Sequence, residues 1–82
     1  MRIKPLRGDL IKYLARRNLT KRWEKQKYLF EQNPKHPSLE TELLEPKHLK
    51  LYSFRITQKY RAIFVYPGND QVEIIDINNH YK

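Results

Sequence analysis

Apolar residues recur at helical spacing in the first third of the chain and alternate in the last third. From Asp9, "DLIKYLARRN" sets Leu10, Ile11 and Leu14 on one helical face, with Asp9 as the N-cap and Asn18 as the stop. Thr20 caps a second predicted helix, "KRWEKQKYLFEQ", in which Trp23 and Phe30 share a face and Asn33-Pro34 ends the run. "MRIKPL" reads as a short edge strand, because Pro5 is tolerated only at an edge or a strand end. "PKHPSLETELLEPKHL" reads as a loop enclosing one short strand at Glu42 to Leu44. Strands follow at about 50–56, 60–66 and 71–77. "PGND" separates the last two, and Pro67 then Gly68 fit the central positions of a type II turn. The order β-α-α-β-β-β predicts one α+β domain over 1–82, with two N-terminal helices packed on a small, twisted, mainly antiparallel sheet.

Strand parity raises a question at "YSFRITQKYRAIFVY", where Arg55 and Arg61 interrupt the apolar alternation. A three-residue turn at Thr57, Gln58 and Lys59 pairs Arg55 with Arg61 and Phe54 with Ala62; a two-residue turn would send Arg55 to the helix side. Only the odd turn makes Phe54, Ile56, Tyr60, Ala62 and Phe64 one buried face, so both arginines are expected on the opposite face. For the last hairpin, Tyr66 opposite Gln71 would set Arg61 against Asp76, Ala62 against Ile75 and Ile63 against Ile74. Asp76 and His80 would then join the arginines. Ile63, Val65, Val72 and Ile74 would form an apolar strip on that same face, suited to a docked partner.

Charge sharpens the picture. Lys and Arg number 17 against 9 Asp and Glu, for a net charge of +8 over 82 residues. The excess lies between Arg2 and Lys27, where ten basic residues face two acidic ones, Asp9 and Glu24. Such a field draws polyanions (nucleic acid, an anionic membrane surface or an acidic protein), although a solvated helix face has the same composition. Within that segment Arg16, Arg17, Lys21 and Lys25 are the candidate contacts to a polyanion's backbone. No cysteine is present, and His36, His48 and His80 lack metal-site spacing, so neither a metal nor another cofactor is expected. No run approaches the roughly 18 apolar residues of a membrane span, so a cytoplasmic protein without a membrane partner is expected.

The pieces "HPSL", "YSFRI", "KYRAIF" and the terminal "HY", in that order over residues 36 to 82, resemble the RelE/ParE superfamily of bacterial toxins, and in particular its YoeB-like branch. That resemblance implies a RelE-like fold and cleavage of messenger RNA on the ribosome by a glutamate, arginines and a terminal histidine. It also implies an acidic antitoxin as partner, in a hetero-oligomer. Carried onto this chain, the arginines are Arg55 and Arg61 and the terminal pair is His80 and Tyr81. The glutamate falls on Glu45 in "LLEPKHL", with Glu42 and Glu40 as alternatives. A lysine cluster of the RelE kind is not evident.

Those residues suffice for metal-free RNA cleavage: a carboxylate to take the 2′-hydroxyl proton, guanidiniums to stabilise the phosphorane, an imidazole to protonate the leaving 5′-oxygen. Tyr81 can stack on a base or orient a phosphate. Two other readings remain open at this stage. One is a ParE-like inhibitor of DNA gyrase that acts by binding alone; the other is a non-toxic homologue that binds nucleic acid or antitoxin.

Overall fold

The computed structural model describes residues 1–79. Its elements run β1 (Arg2–Ile3), α1 (Gly8–Arg16), α2 (Thr20–Gln32), β2 (Glu42–Leu43), β3 (Tyr52–Arg55), β4 (Arg61–Gly68) and β5 (Gln71–Asn78). The strands form one five-stranded sheet in the order β1-β5-β4-β3-β2. Only the β1–β5 pair is parallel; the other three are antiparallel. The two helices pack on one face, giving the expected α+β architecture.

The starts of both helices differ from the sequence expectation, and the expected stop of α1 agrees with it. Arg7, not Asp9, is the N-cap of α1, and the Asp9 carboxylate accepts from the Arg7 guanidinium instead. Thr20 is likewise the first residue of α2 and not its cap, which is Leu19. At the other end of α1, Asn18 takes a left-handed conformation, φ 60°. The Leu19 N–H reaches back to the Leu14 carbonyl and that of Asn18 to Ala15. This closing motif satisfies orphan carbonyls, and Leu14 and Leu19 are both buried. Ile11, expected in the core with Leu10 and Leu14, is 54% exposed.

The core joins Leu10, Leu14, Trp23 and Phe30 from the helices to Phe54, Ala62, Phe64, Val72, Ile74 and Ile77 from the sheet. Trp23 and Phe30 both stack on Phe54, at 5.8 and 4.9 Å between ring centroids. Such pairs add about 0.5–1.5 kcal/mol each beyond the area they bury.

The β4–β5 hairpin departs from the expected register. Gly68 pairs with Gln71, and the turn is made by Asn69 and Asp70, both at positive φ (54° and 58°). A two-residue turn of that form matches strand twist better than the expected type II turn. Register shifts then fall between Val65 and Gly68 and between Ile63 and Phe64. At the second, Ile63 pairs with Asp76 while Phe64 pairs with Ile74, leaving Ile75 as an extra residue. As a result Val72 and Ile74, expected on the arginine face, turn inward and are buried. Arg61 stands opposite Asn78, not Asp76. The predicted apolar strip shrinks to the half-buried Ile63 and Val65 on β4.

Both rims of the sheet are short. At β1 the Ile3 N–H donates to the Glu31 carboxylate of α2 at 2.8 Å, while Arg2 and Lys4 bond to β5 and its turn.

Candidate active site

The β3–β4 reversal sets the site. Ile56 and Thr57 both donate to the Tyr60 carbonyl, and the Thr57 hydroxyl accepts from the amides of Lys59 and Tyr60. That local closure fixes an odd turn, so Phe54 pairs with Ala62 and Arg55 with Arg61. Phe54 and Ala62 face the helices, and both arginines therefore share the other face.

Their surroundings are unequal. Arg61 is 2% exposed. Its Nε donates to Ser53 Oγ at 2.9 Å, and its Nη2 to the carbonyls of Ser53 and Glu40. Glu42 Oε1 lies 3.5 Å from the same Nη2. A buried guanidinium is tolerable only with partners of this kind. Arg55 is 29% exposed and is held by Glu40 alone among the ion pairs of the described residues, Nη2 to Oε1 at 2.8 Å.

Both carboxylates come from the segment after α2. Its course is fixed locally: His36 Nδ1 accepts from the Ser38 amide, Thr41 Oγ1 donates to the Pro34 carbonyl, and Leu39 is fully buried. Glu40 ends a 3-10 turn, Pro37–Leu39, in the left-handed conformation, φ 45°. β2 then pairs Glu42 with Ser53, which brings the Glu42 carboxylate alongside Arg61. Gln26 ties the assembly to α2. Buried in the helix, it donates through Nε2 to the carbonyls of Arg55 (2.7 Å) and Ser38 (3.3 Å). A groove of about 450 Å³, lined by Lys35, His36, Tyr52 and Tyr66, borders Glu40 and Glu42.

Of the residues singled out from the sequence, the structure brings Arg55 and Arg61 together with Glu40 and Glu42. Glu45 is exposed beyond the end of β2, at the cis peptide bond to Pro46. The carboxylates in contact with the arginines are thus the two alternatives, because β2 pairs at Glu42 and the chain leaves the sheet after Leu43. Asp76 is spent locally, accepting from the Ile77 amide and the Asn78 side chain. His80 and Tyr81 lie outside the described residues. Arg16, Arg17, Lys21 and Lys25 are exposed around the α1–α2 junction, where the Arg17 guanidinium sits 3.6 Å over the Tyr13 ring.

Ser53 and Gln26 escaped the sequence reading. Ser53 had a visible signal, a polar residue two before Arg55 and so on its face of the strand. Gln26 had a weaker one, a polar residue midway between Trp23 and Phe30.

No protein-family model matches the chain, and a search of curated proteins by sequence finds no match. Solved structures do match it over nearly its whole length. A YoeB/ParE toxin from Agrobacterium tumefaciens superposes with a TM-score of 0.72 at 19% identity, covering 99% of this chain and 100% of that one. The YoeB dimer from Staphylococcus aureus gives 0.70 at 18% identity, over 98% and 94% of the two chains. The heterotetrameric YoeB–YefM toxin–antitoxin complex from the same organism gives 0.69 at 18%, over 98% and 94%. With two helices on a five-stranded, mostly antiparallel sheet, this chain has the fold of the YoeB/ParE toxins.

Proposed function

We propose that this protein is the toxin of a toxin–antitoxin pair and acts as a metal-independent endoribonuclease that cuts messenger RNA on the ribosome. The observation that carries this reading is the Arg55–Arg61 cross-strand pair with Glu40 and Glu42 beside it, on a sheet of the YoeB/ParE fold. The half-exposed Arg55 guanidinium suits a phosphodiester, since its planar fork matches phosphate oxygens, and buried Arg61 adds positive charge on the same face.

In the reaction, a carboxylate takes the 2′-hydroxyl proton and the freed oxygen attacks the adjacent phosphorus. The sequence assigns that role to Glu45, with Glu42 and Glu40 as the alternatives, and of the three it is Glu42 and Glu40 that stand at the arginines. Arg55, the more accessible guanidinium, binds the charge that builds on the phosphorane, and buried Arg61 adds its positive field beneath it. His80 protonates the 5′-oxygen as the P–O5′ bond breaks, leaving a 2′,3′-cyclic phosphate and a 5′-hydroxyl. Tyr81 orients the nucleotide. The exposed cations Arg16, Arg17, Lys21 and Lys25 hold surrounding RNA backbone without sequence preference.

An acidic antitoxin is the expected partner. The S. aureus neighbour occurs in a complex with YefM, and the one-sided positive charge of residues 2–27 is a complementary surface. The site of action is the cytoplasm, where the message is.

The test is inducible expression of the chain, scored by growth and by primer extension on cellular messages. New 5′ ends that vanish with Arg55→Ala and His80→Ala support the reading. Undiminished cleavage by both variants rejects it. Growth arrest with intact messages and inhibited gyrase would favour the binding-only alternative, which the engaged state of Arg61 also accommodates.

A further inference from the structure

The two arginines are neutralised by one short segment, but only one of the two guanidiniums is partly exposed. Arg61 is enclosed and bonded to main-chain and side-chain oxygens. Arg55 and Glu40 are 29% and 46% exposed and meet through a single 2.8 Å contact. Glu40 itself is divided. Its main chain is pinned: the carbonyl accepts from Arg61, the amide donates to Pro37, and the neighbouring Leu39 is fully buried. Its carboxylate has no such restraint beyond Arg55 among the bonds of the described residues. The side chain can swing into solvent while the backbone that supports Arg61 stays where it is.

We propose that Glu40 is a built-in stand-in for phosphate: its carboxylate occupies the Arg55 fork in the unliganded protein and is displaced by the RNA phosphate. The inference rests on the nucleic-acid reading above and adds to it a residue that weakens binding. Carboxylate and phosphate both present oxygen pairs to a guanidinium, so the exchange replaces one charge-assisted contact with another. A partly exposed ion pair contributes little net stability, which keeps the displacement cheap. Once the carboxylate leaves, Arg55 presents its charge to the ligand while Glu42 remains at Arg61. Buried Gln26, which gathers the carbonyls of Ser38 and Arg55, holds the segment bearing Glu40 at the distance that makes the pair form.

The experiment is a binding cycle on the full chain with a 2′-O-methyl RNA oligonucleotide, which cannot be cut by 2′-oxygen attack. Affinity is read by fluorescence anisotropy at one fixed ionic strength for wild type, Glu40→Gln, Arg55→Ala and the double variant, with urea unfolding to show that each remains folded. Unmasking Arg55 should tighten binding about two- to fivefold for Glu40→Gln, and the gain should shrink when Arg55 is absent. An equal gain in both backgrounds would mean that Glu40 acts only as a distant negative charge, and the proposal fails. No gain in the wild-type background, or no Arg55-dependent binding at all, overturns it as well. Because nothing in the cycle depends on cutting, loss of the nuclease reading would appear separately, as intact messages with the binding cycle unchanged.

Discussion

Arg61 and Arg55 face each other across two strands, carry the same charge, and are built for different work. Around Arg61 the chain closes with Ser53, the Glu40 carbonyl and Glu42, and burial makes each bond costly to lose. Arg55 is 29% exposed and, among the described residues, is ion-paired with Glu40 alone. The lesson is that position on a site face does not equal availability to a substrate. The enclosed guanidinium is bonded to the segment that carries the carboxylates, and the half-exposed one is the guanidinium that the proposed function assigns to the ligand.

The sharpest way to break this contrast is to remove each arginine in turn and measure unfolding in urea. Arg61→Met should destabilise the protein by about 3–5 kcal/mol, because buried oxygens lose their donor. Arg55→Ala should cost under about 1 kcal/mol. Equal losses would erase the distinction. For function the order reverses among folded variants: Arg55→Ala should lower the cleavage rate about 100-fold or more, the scale of losing one charge-stabilising donor, read as initial rates on a reporter message.

A smaller effect tests the tie between the site and α2. Gln26→Leu leaves the carbonyls of Ser38 and Arg55 without their donor and should cost about 1–3 kcal/mol, with the amide signals of Ser38 to Glu42 shifting in an NMR comparison.

The smallest effect belongs to a surface pair outside the site and serves as a control. Hydrogen bonding from Arg7 holds the Asp9 carboxyl below the usual carboxylate range. A depressed folded value means the associated stability is present at neutral pH and disappears as pH falls through that value. Arg7→Ala should therefore move the Asp9 titration, followed by NMR, up into the ordinary carboxylate range and leave both arginines undisturbed.

Much of the site was legible because it depends on a local turn. Thr57, Gln58 and Lys59 admit two loop lengths, and only one collects Phe54, Ile56, Ala62 and Phe64 on a single face, so the apolar pattern decides where Arg55 and Arg61 go. The next hairpin carried no equivalent check. Val72, Ile74, Ile75 and Ile77 are all apolar, and a run of that kind conceals an extra residue at Ile75; register and partner for Arg61 went astray together. The carboxylates were harder still. Glu40, Glu42 and Glu45 lie within six residues, and their separation depends on a left-handed residue and a two-residue strand, neither of which has a strong composition signal.

With β1 and β2 each two residues long, and Glu31 occupying the outward amide of Ile3, the sheet offers little template for another chain to extend it. Self-association into fibres by edge-to-edge growth is therefore disfavoured at both margins.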